Sequence, residues 1–293
     1  MAIYNLGSIN ADHIYSVPHL PAPGETLAAT HHSIGLGGKG ANQSIAAAHG
    51  GATVIHIGAV GADGDWAVAE IARTGASVDH IARLDLPTAH AIINVDPSGE
   101  NAIVIYSAAN LAQDESRIAA ALEDAEEGDF CLLQNETNLV AFTAEHAKGR
   151  GLRVVYSAAP FDADAVQEVL PFIDLLVVNA VEAEQLSKAL GVTPDHLPVA
   201  ECLITRGSEG AVYLSGGEKI MVPAFDVTPV DTTGAGDTYL GFFVAGLDAG
   251  MDPRGAMRFA AAGAAIQVTR PGTAAAIPTL MEVKAFLEER MQK

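Results

Sequence analysis

Residues 230–243 read VDTTGAGDTYLGFF and combine a glycine-rich turn with an aspartate. A turn of this kind at the start of a helix exposes free N–H groups and the positive end of the helix dipole, which attract phosphate. Asp237 directly follows Gly234, Ala235 and Gly236, where a carboxylate would repel phosphate bound at the same point. In phosphoryl transfer the turn can hold the moving group while the aspartate accepts the proton of the attacking hydroxyl. The stretch therefore predicts an anion hole at residues 234–236 and a general base at Asp237; the alternative is an acid that only stabilises the helix.

A second glycine-rich stretch, GLGGKG at 35–40, matches the GxGxxG fingerprint of dinucleotide-binding proteins. That fingerprint requires an acidic residue at the end of the following strand, and GAVGADG at 58–64 has none at the required place. The sequence therefore disfavours an NAD-dependent dehydrogenase. Gly37 and Gly38 would instead permit close backbone approach, with Lys39 and Asn42 presenting polar groups to a small, hydroxyl-rich ligand. A glycine-rich turn that merely begins the next helix is the alternative.

Composition excludes several other classes of function. The 293 residues contain 16 Lys plus Arg against 36 Asp plus Glu, and the formal charge of -20 disfavours nucleic acid and anionic membranes as partners. Neither HExxH nor GxSxG occurs, which disfavours a zinc protease or a serine hydrolase of the elbow type. Cys131 and Cys202 lie in short apolar runs, as reduced core cysteines do, and no segment resembles a targeting or membrane-spanning sequence. We therefore expect a cytoplasmic protein.

The elements that must position these residues alternate between apolar strands and amphipathic helices, a pattern typical of a doubly wound α/β fold with a mostly parallel sheet covered on both faces. Strands are predicted at 2–7, 53–61, 129–134, 152–158, 174–180 and 200–207, and helices at 41–51, 65–75, 115–125, 138–151, 182–191, 234–248, 253–269 and 279–291. Residues 12–37 and 88–108 contain strands and turns without helices, which predicts a small antiparallel sheet acting as a lid. The whole chain, 1–293, is predicted to form a single domain.

Taken together, the motifs resemble those of the ribokinase, or pfkB, family of carbohydrate kinases from residue 5 to about residue 290. GSINADHI, PGET, GGKGANQ, GEN, NAVE, ITRGSEG and DTTGAGDT occur in the order typical of the family. The resemblance implies ATP-dependent phosphorylation of a sugar, with D-ribose converted to D-ribose 5-phosphate as the favoured reaction. It also implies Mg²⁺, a monovalent cation such as K⁺, closure of the lid, and a homodimer formed through the lid sheets. Another sugar, a nucleoside, or sugar binding without transfer are the alternatives.

The resemblance also assigns roles to individual residues. Sugar contacts are implied for Asn10, Asp12, Gly37, Gly38, Lys39, Asn42, Glu136 and the base Asp237. Nucleotide contacts are implied for Asn179, Thr205, Gly207 and Gly210, with Glu182 and Asn179 organising Mg²⁺ through water. The K⁺ ligands implied are the Asp231 side chain and the backbone carbonyls of Thr233, Gln267, Arg270 and Gly272.

Three departures from the family pattern stand out. Ala276 occupies the position at which K⁺-activated members carry a serine, so that a cation site here would need water in the gap. The segment 191–201 is short and predicts the loss of one helix. Phe242 replaces a small residue, which would change the packing behind the anion hole.

Overall fold

The computed structural model describes residues 1–291, so the last two residues of the predicted domain lie outside the described part of the chain. The strands are β1 (Ala2–Leu6), β2 (Asn10–Ser16), β3 (His31–Gly37), β4 (Thr53–Gly61), β5 (Ser77–Leu84), β6 (Ala89–Val95), β7 (Asn101–Tyr106), β8 (Phe130–Gln134), β9 (Arg153–Ser157), β10 (Leu175–Asn179), β11 (Glu201–Thr205), β12 (Ala211–Ser215) and β13 (Glu218–Val222). The α-helices are α1 (Lys39–His49), α2 (Asp65–Arg73), α3 (Glu115–Ala121), α4 (Val140–Gly149), α5 (Ala163–Val169), α6 (Ala180–Leu190), α7 (Ala235–Asp248), α8 (Pro253–Gln267) and α9 (Leu280–Met291).

Nine strands form one sheet in the order β13-β12-β11-β10-β9-β8-β1-β4-β5. Every neighbouring pair from β11 to β5 is parallel, and β12 and β13 extend one edge as an antiparallel hairpin. β1 lies between β4 and β8, so the strand order reverses on either side of it, and open α/β sheets bind ligands at the carboxyl ends of strands at such a point. The predicted doubly wound α/β fold is confirmed.

Two hydrophobic clusters cover the two faces of this sheet. One contains side chains of α1, α2, α7, α8 and α9, and the other contains side chains of α3 to α6. Successive strand residues point to opposite clusters, as Ile3 and Tyr4 do in β1, which explains why these strands are apolar throughout. Cys131 and Cys202 are buried in the second cluster as free thiols. Within residues 1–291, no helix has the length and apolar character needed to cross a membrane.

The predicted lid is a separate sheet of four strands in the order β3-β2-β6-β7. The pairs β2–β3 and β6–β7 are antiparallel, but β2 and β6 are parallel, so the prediction of an antiparallel lid was wrong for the central pair. The cause is topological, since β2 follows β1 and β6 follows β5, and β1 and β5 run in the same direction in the large sheet. Residues 25–30, which belong to the predicted lid, precede β3 as irregular chain.

Other differences from the predicted elements are local. β5, the β12–β13 hairpin and the seven-residue helix α5 were not predicted. Segment 191–201 contains a single 3₁₀ turn, Pro194–His196, and no α-helix, as its length predicted.

Phe242 is fully buried, and its ring lies against Gly263 of α8. A Cβ added to Gly263 would come within 2.6 Å of the ring. Its ring also meets Phe259 edge-on at 5.2 Å between centroids.

Helices α1 and α7 approach each other closely because α7 carries a glycine where they touch. A Cβ on Gly241 would lie 2.4 Å from the Cβ of Ala46 and 2.7 Å from the carbonyl oxygen of Gln43. Real Cβ atoms do not approach other atoms so closely, so a side chain here would force the two helices apart. This contact sets the distance between the first turns of α1 and α7.

We expect Gly241→Ala to lower the free energy of unfolding by about 1–3 kcal/mol, because overpacking outweighs the gain in helix propensity. Gly149→Ala is the matched control, since a Cβ on Gly149 of α4 meets nothing within 4 Å among the described residues. That control should leave stability level or raise it by up to ~1 kcal/mol. Urea denaturation measures both, and equal effects of the two substitutions would contradict the close-contact explanation.

Candidate active site

The carboxylate of Asp237 lies buried in the first turn of α7, facing α1. The side-chain amide of Asn42 donates to its Oδ2 at 3.2 Å, and that of Gln43 donates to its Oδ1 at 2.8 Å. A carboxylate that accepts one bond on each oxygen has a fixed orientation. The negative charge of Asp237, more than those of Glu136 and Glu182, raises the pKa of Lys39, so this lysine remains protonated.

The predicted anion hole begins at Gly234, which precedes α7 in the left-handed conformation with φ of 76°. The N–H of Ala235 donates to the carbonyl of Thr232 at 3.2 Å, within the turn. The N–H groups of Gly234 and Gly236 donate to no other backbone group in the described chain, and they lie at the positive end of the helix. An anion at this point would therefore meet two free donors beside Asp237.

The residues predicted to contact the sugar gather where β1 leads into the lid. Asn10 and Gly37 face each other across the β2–β3 pair, and Asp12 packs against Gly37 so closely that a Cβ there would lie 2.0 Å from its Oδ2. Glu136 accepts the backbone N–H of Lys39 at 2.9 Å and the hydroxyl of Ser8. The predicted set, Asn10, Asp12, Gly37, Gly38, Lys39, Asn42 and Glu136, is therefore brought together by β2, β3, α1 and the chain after β8.

Two features of this region fit a ligand with several hydroxyl groups. Burial, with a smaller effect from the charge of Glu136, raises the pKa of Asp12 to about 7. Oδ1 of Asn42 is buried and has no hydrogen-bond partner within residues 1–291. A buried acceptor without a partner is costly, and a ligand hydroxyl donating to it would remove that cost.

Gln43 is a site residue that the sequence analysis missed. Its Oε1 accepts from Nε2 of Gln134 at 2.8 Å, and the same nitrogen donates to Oδ1 of Asn5 at 2.9 Å. Asn5 donates in turn to Oγ of Ser44 at 2.8 Å, so that buried amides lead from Asp237 into the core. The sequence did contain a signal for Gln43. It lies one helical turn after Lys39 in an alanine-rich helix, where a polar side chain in a buried position indicates a role in the site.

Ser8 and Asn110 were also missed. Asn110 donates from Nδ2 to Oδ1 of Asn10 at 2.8 Å and accepts the backbone N–H of Ile9 at 3.0 Å, which fixes the Asn10 side chain. Asn110 is 100 residues from Asn10 and lies in no recognisable motif, so the sequence offered no signal for it.

On the other side of the anion hole is an apolar cavity of about 270 Å³ between the end of β11 and the helices α7 and α8. The predicted nucleotide residues Thr205, Gly207 and Gly210 form one wall, while Ala235 and Gly236 of the anion hole form another. Phe225, Tyr239 and three alanines of α8 also line this cavity. A neighbouring cavity of about 430 Å³ shares Thr205 and Gly207 and includes Asn179. All four predicted nucleotide residues therefore border two adjoining cavities.

The predicted Mg²⁺ residues form a capping box at the start of α6. Oδ1 of Asn179 accepts the N–H of Glu182 at 2.9 Å, and Oε2 of Glu182 accepts the N–H of Asn179 at 2.8 Å. Partial burial raises the pKa of Glu182, and Asn179 and Lys39 counteract this shift. The capping role leaves Oε1 of Glu182 for a metal-bound water. No group of three or more metal-binding side chains occurs in the described part of the chain, and Mg²⁺ often binds through one carboxylate, waters and phosphates.

Several of the predicted K⁺ ligands are also close together, but the side-chain amide of Gln267 lies among them. Nε2 of Gln267 donates to the carbonyl of Thr233 at 2.7 Å and lies 3.4 Å from the carbonyl oxygen of Gly272. The carbonyl of Gln267 accepts the N–H of Arg270 at 3.0 Å, closing the last turn of α8. The prediction from the sequence concerned only the backbone carbonyl of Gln267 as a K⁺ ligand and did not include its side chain.

Comparison with known proteins agrees with this geometry. The pfkB family carbohydrate kinase model matches residues 3–280. The ribokinase of Haemophilus influenzae is 38% identical over 299 residues, covering 97% of each protein. The crystal structure of Thermotoga maritima ribokinase has a TM-score of 0.89 at 33% identity, covering 98% of this chain and 99% of that one. Arabidopsis thaliana ribokinase, solved in complex with ribose and ATP, has a TM-score of 0.85 at 28% identity and covers 98% and 99% of the two chains. The chain therefore belongs to the pfkB family of carbohydrate kinases.

Proposed function

We propose that this protein transfers the γ-phosphoryl group of ATP to O5 of D-ribose, giving D-ribose 5-phosphate and ADP. The observation that carries the proposal is the position of Asp237, whose carboxylate lies between the predicted sugar residues and the two free N–H groups at the start of α7. The relative from Arabidopsis that binds ribose and ATP supports this choice of substrates. The family membership fits a cytoplasmic enzyme.

In the proposed reaction, Asp237 accepts the proton of the O5 hydroxyl as that oxygen forms a bond to the γ-phosphorus. The bond from the γ-phosphorus to the bridging oxygen of ADP breaks as the new bond forms. Gly234 and Gly236 donate N–H groups to the transferring phosphoryl, and the protonated Lys39 adds positive charge beside it. Gln43 donates to Oδ1 of Asp237 at 2.8 Å and Asn42 donates to Oδ2 at 3.2 Å, so Oδ2, which accepts the longer bond, is the atom that receives the proton.

ATP would place its adenine in the apolar cavity lined by Phe225 and Tyr239, with its phosphates directed towards Gly236. Mg²⁺ would be held through water by Glu182 and Asn179 and would neutralise charge on the phosphates. Asn10, Asp12 and Glu136 would bind the sugar hydroxyls. Closure of the lid over this region would exclude water, which competes with the sugar as acceptor of the phosphoryl group.

The role of Asp237 is tested by Asp237→Asn, which should lower kcat by roughly 10²- to 10⁴-fold because the general base is lost. Ribose affinity, measured by calorimetry, should change little. Asp248→Asn makes the same chemical change at the opposite end of α7 and should leave kcat unaltered. Turnover by Asp237→Asn at the rate of the parent protein would show that another group takes the proton.

The acceptor is tested by measuring kcat/KM with ribose, 2-deoxyribose, fructose and adenosine in the presence of Mg-ATP. Ribose should rank first, and 2-deoxyribose should fall roughly ten-fold or more below it, because a buried polar group would lose its partner. A higher kcat/KM for another acceptor would reassign the substrate and leave the transfer chemistry intact. Binding of ribose without turnover of any acceptor would identify a sugar-binding protein instead.

We further propose a homodimer formed through the lid. β7 is an exposed edge strand, and its Ile103 and Ile105 are 50% and 54% exposed. The register places them on the same sheet face as Ile14 and Asp12. An apolar face of this kind beside the sugar site is the surface that a second lid would cover.

Replacing Ile103 and Ile105 together by lysine should convert the dimer to a monomer in sedimentation equilibrium, because charges would be buried in the interface. Val104→Lys is the control, since Val104 is 68% exposed but points to the opposite face of β7. A parent protein that sediments as a monomer, or dissociation by both variants alike, would contradict the proposed interface.

A further inference from the structure

The loop that precedes the anion hole is tied to the loop after α8 by one carboxylate. Oδ1 of Asp231 accepts the N–H of Thr233 at 2.9 Å, and Oδ2 accepts the N–H of Gly272 at 3.0 Å. Two backbone bonds also run from Val230 and Asp231 to the carbonyl of Val268. The position of Gly234 and the following residues therefore depends on how the two loops are joined.

The carbonyl groups of the same two loops point towards the side-chain amide of Gln267. This residue is completely buried, and its Nε2 bonds to the carbonyl of Thr233 at 2.7 Å and approaches that of Gly272 at 3.4 Å. Its Oε1 has no hydrogen-bond partner in the described chain. The opposite orientation of the amide would place an oxygen against two carbonyl oxygens, so electrostatics fixes the nitrogen in this position.

The residues here do not fit a monovalent cation of the kind that the family resemblance implied. A K⁺ ion requires several oxygen atoms directed at one point, in place of its hydration shell. The point between the carbonyls of Thr233 and Gly272 is occupied by an amide nitrogen. Ala276, which is buried, has a methyl group at the position where the family resemblance implies a serine oxygen.

We propose that the Gln267 side chain replaces the monovalent cation in this protein, so that turnover does not depend on K⁺. The amide N–H groups bring partial positive charge to the two carbonyls and join the two loops. An exchangeable ion would join these loops only while it is bound, whereas the Gln267 side chain joins them at all times. Gln267 is thus a positioning residue: it acts on the anion hole through Thr233 and does not contact substrate. The inference rests on the proposed kinase activity for its effect on rate, but the exclusion of the ion can be measured without it.

The first test compares K⁺ with choline at equal ionic strength, in buffers free of Na⁺ and NH₄⁺. The kcat of the parent protein should agree within about two-fold between the two salts, and its thermal midpoint should be the same in both, because no ion binds the native state preferentially. Activation of roughly ten-fold by K⁺, or a higher midpoint in K⁺ than in choline, would overturn the proposal. The thermal measurement remains decisive if the protein phosphorylates none of the acceptors, which would refute the proposed function alone.

The second test opens the site by combining Gln267→Ala with Ala276→Ser, which removes the amide and adds an oxygen. We expect this double variant to lose roughly ten-fold in kcat in choline through loosening of the loop, and to recover most of that loss in K⁺. Its thermal midpoint should also rise in K⁺. Ala276→Ser alone is the control, because the amide still fills the site, and it should respond to K⁺ in neither measurement.

Gln267→Leu distinguishes the proposed bridge from simple packing, since leucine fills similar space without donating a hydrogen bond. It should show the loss of kcat without recovery in K⁺. Full activity of Gln267→Leu in choline would show that the amide has no positioning role and would overturn the proposal. A double variant that responds to K⁺ no more than Ala276→Ser does would also overturn it, because the amide would then not be what excludes the ion.

Discussion

The organisation of this protein depends on the burial of one carboxylate at the contact between two helices. Asp237 lies below the surface, where a charged group without hydrogen bonds would be expensive. Asn42 and Gln43 supply those bonds, and they reach the carboxylate only because α7 carries Gly241 at its contact with α1. Gln43 is itself held by Gln134, which belongs to a strand in the middle of the large sheet. The packing of α1 against α7, the buried amides and the orientation of Asp237, the proposed base, therefore depend on one another.

The proposed anion hole is supported from both directions. On one side, α1 holds the first turn of α7 through Asp237, and on the other, Asp231 and Gln267 hold the preceding loop. Donors that are already in place when charge develops cost no reorganisation during the reaction, which is the main source of electrostatic catalysis. The apolar cavity beside Ala235 lies on one side of the turn and the residues predicted to contact the sugar lie on the other, so the two proposed substrates would bind apart.

The sequence predicted the fold class and brought nearly all of the candidate site to notice, because both depend on local patterns. Apolar strands alternate with helices along the chain, and the glycine-rich turns lie at the helix starts where Lys39 and Asp237 are found. The parallel pairing of β2 with β6 could not be predicted, since it follows from the direction in which two distant strands leave the large sheet. Side-chain partners such as Gln43 with Gln134, and Gln267 with Thr233, join residues far apart in the chain and carry no motif. The residues predicted as cation ligands lie close together, but the side-chain amide of Gln267 lies between the carbonyls of Thr233 and Gly272.

The packing of Phe242 against Gly263 has a consequence for the history of this sequence. The ring occupies the volume that any side chain at position 263 would need, so neither residue can be exchanged freely while the other stays. A lineage that gains an aromatic residue on α7 must already possess a glycine at the facing position of α8, and a return to a small residue leaves a void in the core. Descendants should thus inherit the two positions as a pair, with the glycine preceding the phenylalanine, since that order alone avoids an intermediate in which a ring and a side chain compete for the same space.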